Sequence, residues 1–136
     1  MGRKISYLLM FSVLFLFLVS CATTVYQRTL IFKGTEATLK IKETLSIKDD
    51  KFIFVKQSAR GKAIFEGNFK KNGTRWEFAI RHFKPVNAVD RYFDPPIVYI
   101  YRVKKIPGGG VEFVSFDVRG ARSPLQFIMR GRFFLR

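Results

Sequence analysis

One histidine, one cysteine and ten carboxylates are the metal-ligating stock of this 136-residue chain. The histidine, His82, follows Arg81 and has no second histidine with which to build a zinc set. It reads as a strand-end residue near the surface. The carboxylates are scattered. Asp49-Asp50 has the residue types of a tight turn, and Asp90 and Asp94 flank Arg91, which can pair with them. No serine sits in a G-x-S-x-G elbow, and Pro107-Gly108-Gly109-Gly110 lacks the Lys-Ser/Thr of a phosphate-binding loop. No catalytic constellation emerges, so the expectation is a non-enzymatic protein with no cofactor and no metal.

Glu43 is the carboxylate in an odd place. It falls in period two with Leu39, Ile41, Leu45 and Ile47, on an apolar face. A carboxylate taken out of water needs a partner. Arg28, in register with Leu30 and Phe32, is the best candidate. Two accounts are open. One is a structural ion pair. The other is a polar group inside a ligand pocket lined by Trp76, Phe78, Tyr99 and Tyr101.

The elements that would position these residues are strands. Leu39 to Ile47 alternates with Lys40, Lys42, Thr44, Ser46 and Lys48. Phe52–Gln57 follows the Asp49-Asp50 turn. Ala63, Phe65, Gly67 and Phe69 share the next inward face, and Asn72-Gly73 is a strong hairpin signal. Trp76, Phe78 and Ile80 then alternate with Arg75, Glu77 and Arg81. The stretch from Lys84 to Pro96, with its three prolines, reads as a long irregular loop in which Tyr92 and Phe93 plug the core. Ile97 to Lys104 alternates again, Val111–Val118 is apolar on both faces, and the last strand sets Leu125, Phe127, Met129, Phe133 and Leu135 against Arg130, Arg132 and Arg136. About eight strands at this spacing define an all-β fold, an antiparallel meander closed as a barrel or folded as a sandwich. The layout is similar to small lipocalin-like lipoproteins in architecture, without a lipocalin sequence signature.

The cysteine belongs to a different layout. Arg3 and Lys4 precede an apolar stretch from Ile5 to Val19, and Ser20-Cys21 closes it. A basic start, a short apolar core and small residues at the exit make a secretory signal, too short for the ~20 apolar residues of a spanning helix. Leu18-Val19-Ser20-Cys21 resembles the lipobox of bacterial lipoproteins. The resemblance implies a helical signal peptide over 1–20, cleavage before Cys21, and acylation of Cys21 by diacylglycerol and a further chain such as palmitate. It implies a lipidated tether over 21–28, a single β domain over 29–136, and a place in the cell envelope. Ala22 after the cysteine goes with the outer membrane in enteric-type bacteria.

Net charge bounds the partners. Of the +15 on the chain, two charges, Arg3 and Lys4, precede Cys21, which leaves +13 on residues 21–136. So basic a protein attracts polyanions. At an envelope membrane the polyanion is anionic lipid or lipopolysaccharide rather than nucleic acid, and Lys40, Lys42, Arg130, Arg132 and Arg136 are the outward residues expected to meet it. No protein partner is legible. With no cysteine after Cys21, packing must hold the domain together, and 16 phenylalanines suit that task.

Overall fold

In the computed structural model of the chain, residues 22–120, 127 and 129–136 are described. The signal segment and Cys21 lie outside them, as does Leu125 of the expected last strand. Eight strands follow in chain order: β1 Thr24–Lys33, β2 Thr38–Lys48, β3 Lys51–Ser58, β4 Gly61–Asn72, β5 Arg75–Lys84, β6 Arg91–Lys105, β7 Val111–Arg119 and β8 Gly131–Leu135. Each pairs antiparallel with the next, and β8 returns to β1, so the sheet is a closed up-and-down barrel. The sequence left barrel and sandwich open. The β1–β8 pairing decides for the barrel.

Alternation puts Leu45, Phe52, Phe54, Phe65, Trp76, Phe78, Tyr99, Tyr101, Phe113 and Phe133 inside, all at or below 5% exposure. Lys40, Lys42, Lys62, Lys70 and Arg102 stand outside. A membrane-spanning barrel has the reverse pattern, an apolar outer band around a polar interior. Among the described residues, no helix is long and apolar enough to cross a membrane.

Two irregularities change which residues face inward. In β5, Glu66 pairs with His82 and Gly67 with Ile80, so Arg81 is an extra residue. The inward set therefore passes from Trp76, Phe78 and Ile80 to Phe83. Gly67 is required there: a Cβ would lie 1.8 Å from the Ala79 carbonyl oxygen. In β7, Arg102 pairs with Ser115 and Val103 with Phe113, which leaves Val114 as the extra residue. Val111 and Phe113 face inward before it, Phe116 and Val118 after it, and Val114 itself is 46% exposed. The stretch looked apolar on both faces because its inward parity switches halfway, not because both faces are covered.

Three sequence boundaries move. β1 begins at Thr24, and Val25 to Arg28 already pair with β2, so the tether expected over 21–28 keeps only Ala22 and Thr23 after Cys21. The expected loop from Lys84 to Pro96 reduces to residues 85–90, since β6 starts at Arg91. Between the pairs His82↔Tyr92 and Ile80↔Ile97 the ladder is interrupted, and Pro95 and Pro96, which have no N–H to give it, sit in that interruption. Phe93 packs against the core as expected, whereas Tyr92 points out and is 75% exposed. Finally, β8 starts only at Gly131, so Phe127 and Met129 are fully buried without belonging to a strand, and Leu135 is exposed.

Because strand direction alternates, the barrel has two distinct ends. The start of β1, the turns joining β2–β3, β4–β5 and β6–β7, and the C-terminal Arg136 share one end. The β1–β2, β3–β4 and β5–β6 connections share the other.

Candidate functional site

The polar residues inside the barrel form one row. Arg28 in β1 stands directly opposite Glu43 in β2, and Glu43 directly opposite Lys56 in β3. The period-two pattern of each strand turns all three toward the interior, as it does Phe52 and Phe54 next to Lys56. Arg28 Nη2 lies 3.0 Å from Glu43 Oε1, and Arg28 Nε donates to the same oxygen at 3.1 Å. The pair expected from register alone is therefore present. Glu43 Oε2 is buried with no hydrogen-bond partner among the described residues. Burial pushes the Lys56 amine below the usual lysine range, the Glu43 carboxylate opposes that shift, and Arg28 adds to it. Lys56 was missed from the sequence, although its spacing from Phe52 and Phe54 was the signal that could have found it.

Arg28 also closes the barrel. The β1–β8 seam has only two register pairs, Tyr26↔Leu135 and Gln27↔Phe134. Where that pairing stops, the Arg28 guanidinium takes over: Nη1 donates to the Arg130 carbonyl, and Cζ sits 4.3 Å from the centre of the Phe133 ring. Arg130 presents its carbonyl just before Gly131, whose φ of 78° is a conformation that favours glycine. One side chain thus ties β1, β2 and the segment entering β8.

The aromatic residues considered as a pocket, Trp76, Phe78, Tyr99 and Tyr101, are buried against other rings. Phe78 meets Phe52 edge-on at 5.0 Å and Tyr101 at 5.7 Å, and Trp76 meets Phe113 at 5.9 Å. At the centre stands Phe127. Its ring contacts Phe52, Phe54, Phe65, Phe78, Tyr99 and Tyr101 at centroid distances of 4.9–6.4 Å. An eight-stranded barrel is just wide enough for side chains to fill or for one small ligand, and here Phe127 takes the middle. It is held by its neighbour segment, since the Met129 N–H donates to the Tyr101 hydroxyl at 3.0 Å. Burial holds the Tyr101 phenol far above its ordinary pKa. Hollows of about 460 and 520 Å3 lie on the outer wall, one beside Arg75, Arg102 and Arg119, the other beside Thr23, Lys48 and Ile53.

His82 is better connected than a plain strand-end residue. Its Nε2 lies 2.9 Å from Asp90 Oδ2, its Nδ1 lies 3.5 Å from Glu66 Oε2, and its ring stacks on Tyr92 at 4.6 Å. Asp90, expected to pair with Arg91, goes to His82 instead. The hydrogen bond that the ring donates to Asp90, helped by Glu66, raises the His82 pKa above its ordinary 6.5. A raised folded-state pKa means that this contribution to stability is fully present below about pH 6.5 and is lost as pH rises through the folded value. Thermal unfolding should therefore show wild type ahead of His82→Gln at pH 5–6, with the gap closing at higher pH. An NMR titration giving His82 a pKa at or below 6.5 would remove the basis for this expectation. Among the described residues, no group of three or more His, Cys, Asp or Glu is placed to hold a metal ion.

Fold and interior together define the class: a small, closed, eight-stranded up-and-down β-barrel with an aromatic-filled centre and a basic exterior. Comparison of the chain with protein-family models, with curated proteins and with solved structures gives no match.

Proposed function

We propose that the protein is a lipid-anchored, non-enzymatic lipoprotein of the cell envelope, whose basic barrel binds or assists assembly at the membrane surface. The observation that carries this reading is the lipobox-like Leu18-Val19-Ser20-Cys21 placed two residues before the first strand. A signal segment that ends where the folded domain begins leaves Cys21 at the N-terminus of a complete barrel. Two or three acyl chains, at about 0.8 kcal/mol per buried CH₂, anchor such a domain stably where one chain does not. Lys40, Lys42, Arg130, Arg132 and Arg136 are exposed as expected, although only Arg136 lies at the end where β1 starts. The charge of +13 on residues 21–136 supports an anionic surface as the partner, and that surface is anionic lipid or lipopolysaccharide.

The rival reading, a lipocalin-like carrier of a small apolar or lipid ligand, fits the eight-stranded barrel equally well. Phe127 weighs against it, because its ring stands where the ligand would go.

Cys21→Ser tests the anchor. The variant should accumulate as an uncleaved precursor and incorporate no labelled palmitate, while wild type incorporates it and is cleaved. Normal maturation and labelling of Cys21→Ser would refute the lipobox reading.

A further inference from the structure

The two ends of the barrel are not equivalent once an anchor is attached, and we propose that the end bearing the β2–β3, β4–β5 and β6–β7 turns docks onto anionic lipid headgroups of the anchoring membrane. This proposal rests on the acylation of Cys21 and goes beyond it by naming the docking face. Only Ala22 and Thr23 separate Cys21 from β1. An extended chain spans at most about 3.6 Å per residue, so Thr24 stays within roughly 11 Å of Cys21. The tether is too short to let the barrel turn its other end to the bilayer.

The face held there is cationic. Lys48 and Lys51 flank the β2–β3 turn, Lys71 precedes the β4–β5 turn, Lys104 and Lys105 precede the β6–β7 turn, and Arg136 ends the chain. All six are exposed. Asp49 and Asp50 are the carboxylates within these turns, both in the β2–β3 turn. Lys71 Nζ is 5.3 Å from the centre of the Trp76 ring, which keeps it at the rim. The opposite end is also basic, with Lys33, Arg60, Lys62 and Lys84. Ten-residue strands rising about 3.3 Å per residue and tilted by about 40° put it roughly 25 Å away. Charges that far from the headgroups are beyond the ~8 Å Debye length at physiological salt. Position selects the docking end, and charge makes the contact attractive.

The acylated protein, with Thr74→Cys or Ala59→Cys added to carry a fluorophore, is floated with vesicles containing a headgroup quencher. Thr74 lies at the proposed docking end and Ala59 at the other, and both are exposed. The acylated Cys21 blocks the only native thiol. In vesicles with a third phosphatidylglycerol the Thr74 label should be quenched, more than in pure phosphatidylcholine, and the Ala59 label should not be quenched in either. Each lysine near an anionic surface strengthens docking about fivefold. Reversing four of them, Lys48→Glu, Lys51→Glu, Lys104→Glu and Lys105→Glu, should therefore abolish the difference between the two vesicle types, as should 1 M salt. Quenching of the Thr74 label that ignores lipid charge, or equal quenching at Ala59, would overturn the docking face while leaving the anchor intact. Failure to float with neutral vesicles would overturn the anchor, and the docking face with it.

Discussion

Glu43→Gln is expected to destabilise the barrel by about 3–5 kcal/mol, the usual cost of leaving one member of a buried ion pair uncompensated. The carboxylate stands between two cations in register, Arg28 and Lys56. Its removal leaves both facing the interior with no anion between them. Arg28→Met should cost a similar amount for a different mixture of reasons. It takes from Glu43 the guanidinium that holds Oε1, and Oε2 already has no hydrogen-bond partner among the described residues. It also removes the bond to the Arg130 carbonyl and the contact with Phe133 that extend a seam of only two register pairs. The double variant should recover part of the combined loss, because neither member of the pair is then left without the other. It should not recover all of it, because the seam contact is gone too. Urea midpoints of the four proteins in a double-mutant cycle measure the coupling. Strictly additive losses would show that the two side chains do not act as a pair. Adding Lys56→Met to Glu43→Gln should relieve the remaining repulsion and raise the midpoint again.

That pair was legible in the sequence because strand periodicity is local. Glu43 kept step with Leu39, Ile41, Leu45 and Ile47, and Arg28 with Leu30 and Phe32, so each face could be assigned without knowing its neighbour. Residue type, also a local signal, located the hairpin at Asn72-Gly73, although Asn72 stays in β4 and Gly73, with φ of 60°, opens the two-residue loop. What failed was everything that breaks the period or fills space from a distance. The extra residues Arg81 and Val114 reverse inward parity, and nothing in their own residue types announces it. Pro95 and Pro96 argued for a loop, yet β6 carries them through an interruption of its ladder. Lys56 went unnoticed although it keeps step with Phe52 and Phe54, because a cation in that row finds its reason only in the carboxylate opposite it on β2. Cys21 and its signal were read from composition and motif alone, and that part of the reading lies outside the described residues.

Phe127 is the clearest case of a residue whose role is tertiary. In the sequence it was one apolar position of a last strand. In the barrel it lies outside any strand and touches six rings contributed by β3, β4, β5 and β6. Phe127→Ala should therefore cost about 3–5 kcal/mol, the range for emptying a buried phenylalanine site. The upper end is expected, because rings fixed to the barrel wall cannot collapse into the gap. The space left is lined by aromatic side chains, and apolar cavities of this kind stay dry and take up benzene-sized molecules. Benzene or indole should stabilise Phe127→Ala and raise its unfolding midpoint, the stabilisation being about 2.7 kcal/mol at a hundredfold excess over the dissociation constant. The same probes should leave wild type unmoved. If the alanine variant does not fold, Phe127→Leu, which keeps most of the volume, should fold with a smaller loss and a smaller response to the probes. A loss below about 1 kcal/mol for Phe127→Ala would mean that the ring does not fill the centre. Wild-type stabilisation by the same probes would mean that Phe127 moves aside for a ligand. The carrier reading would then replace the scaffold, and the orphaned Glu43 Oε2 would become the first place to look for the ligand's polar end.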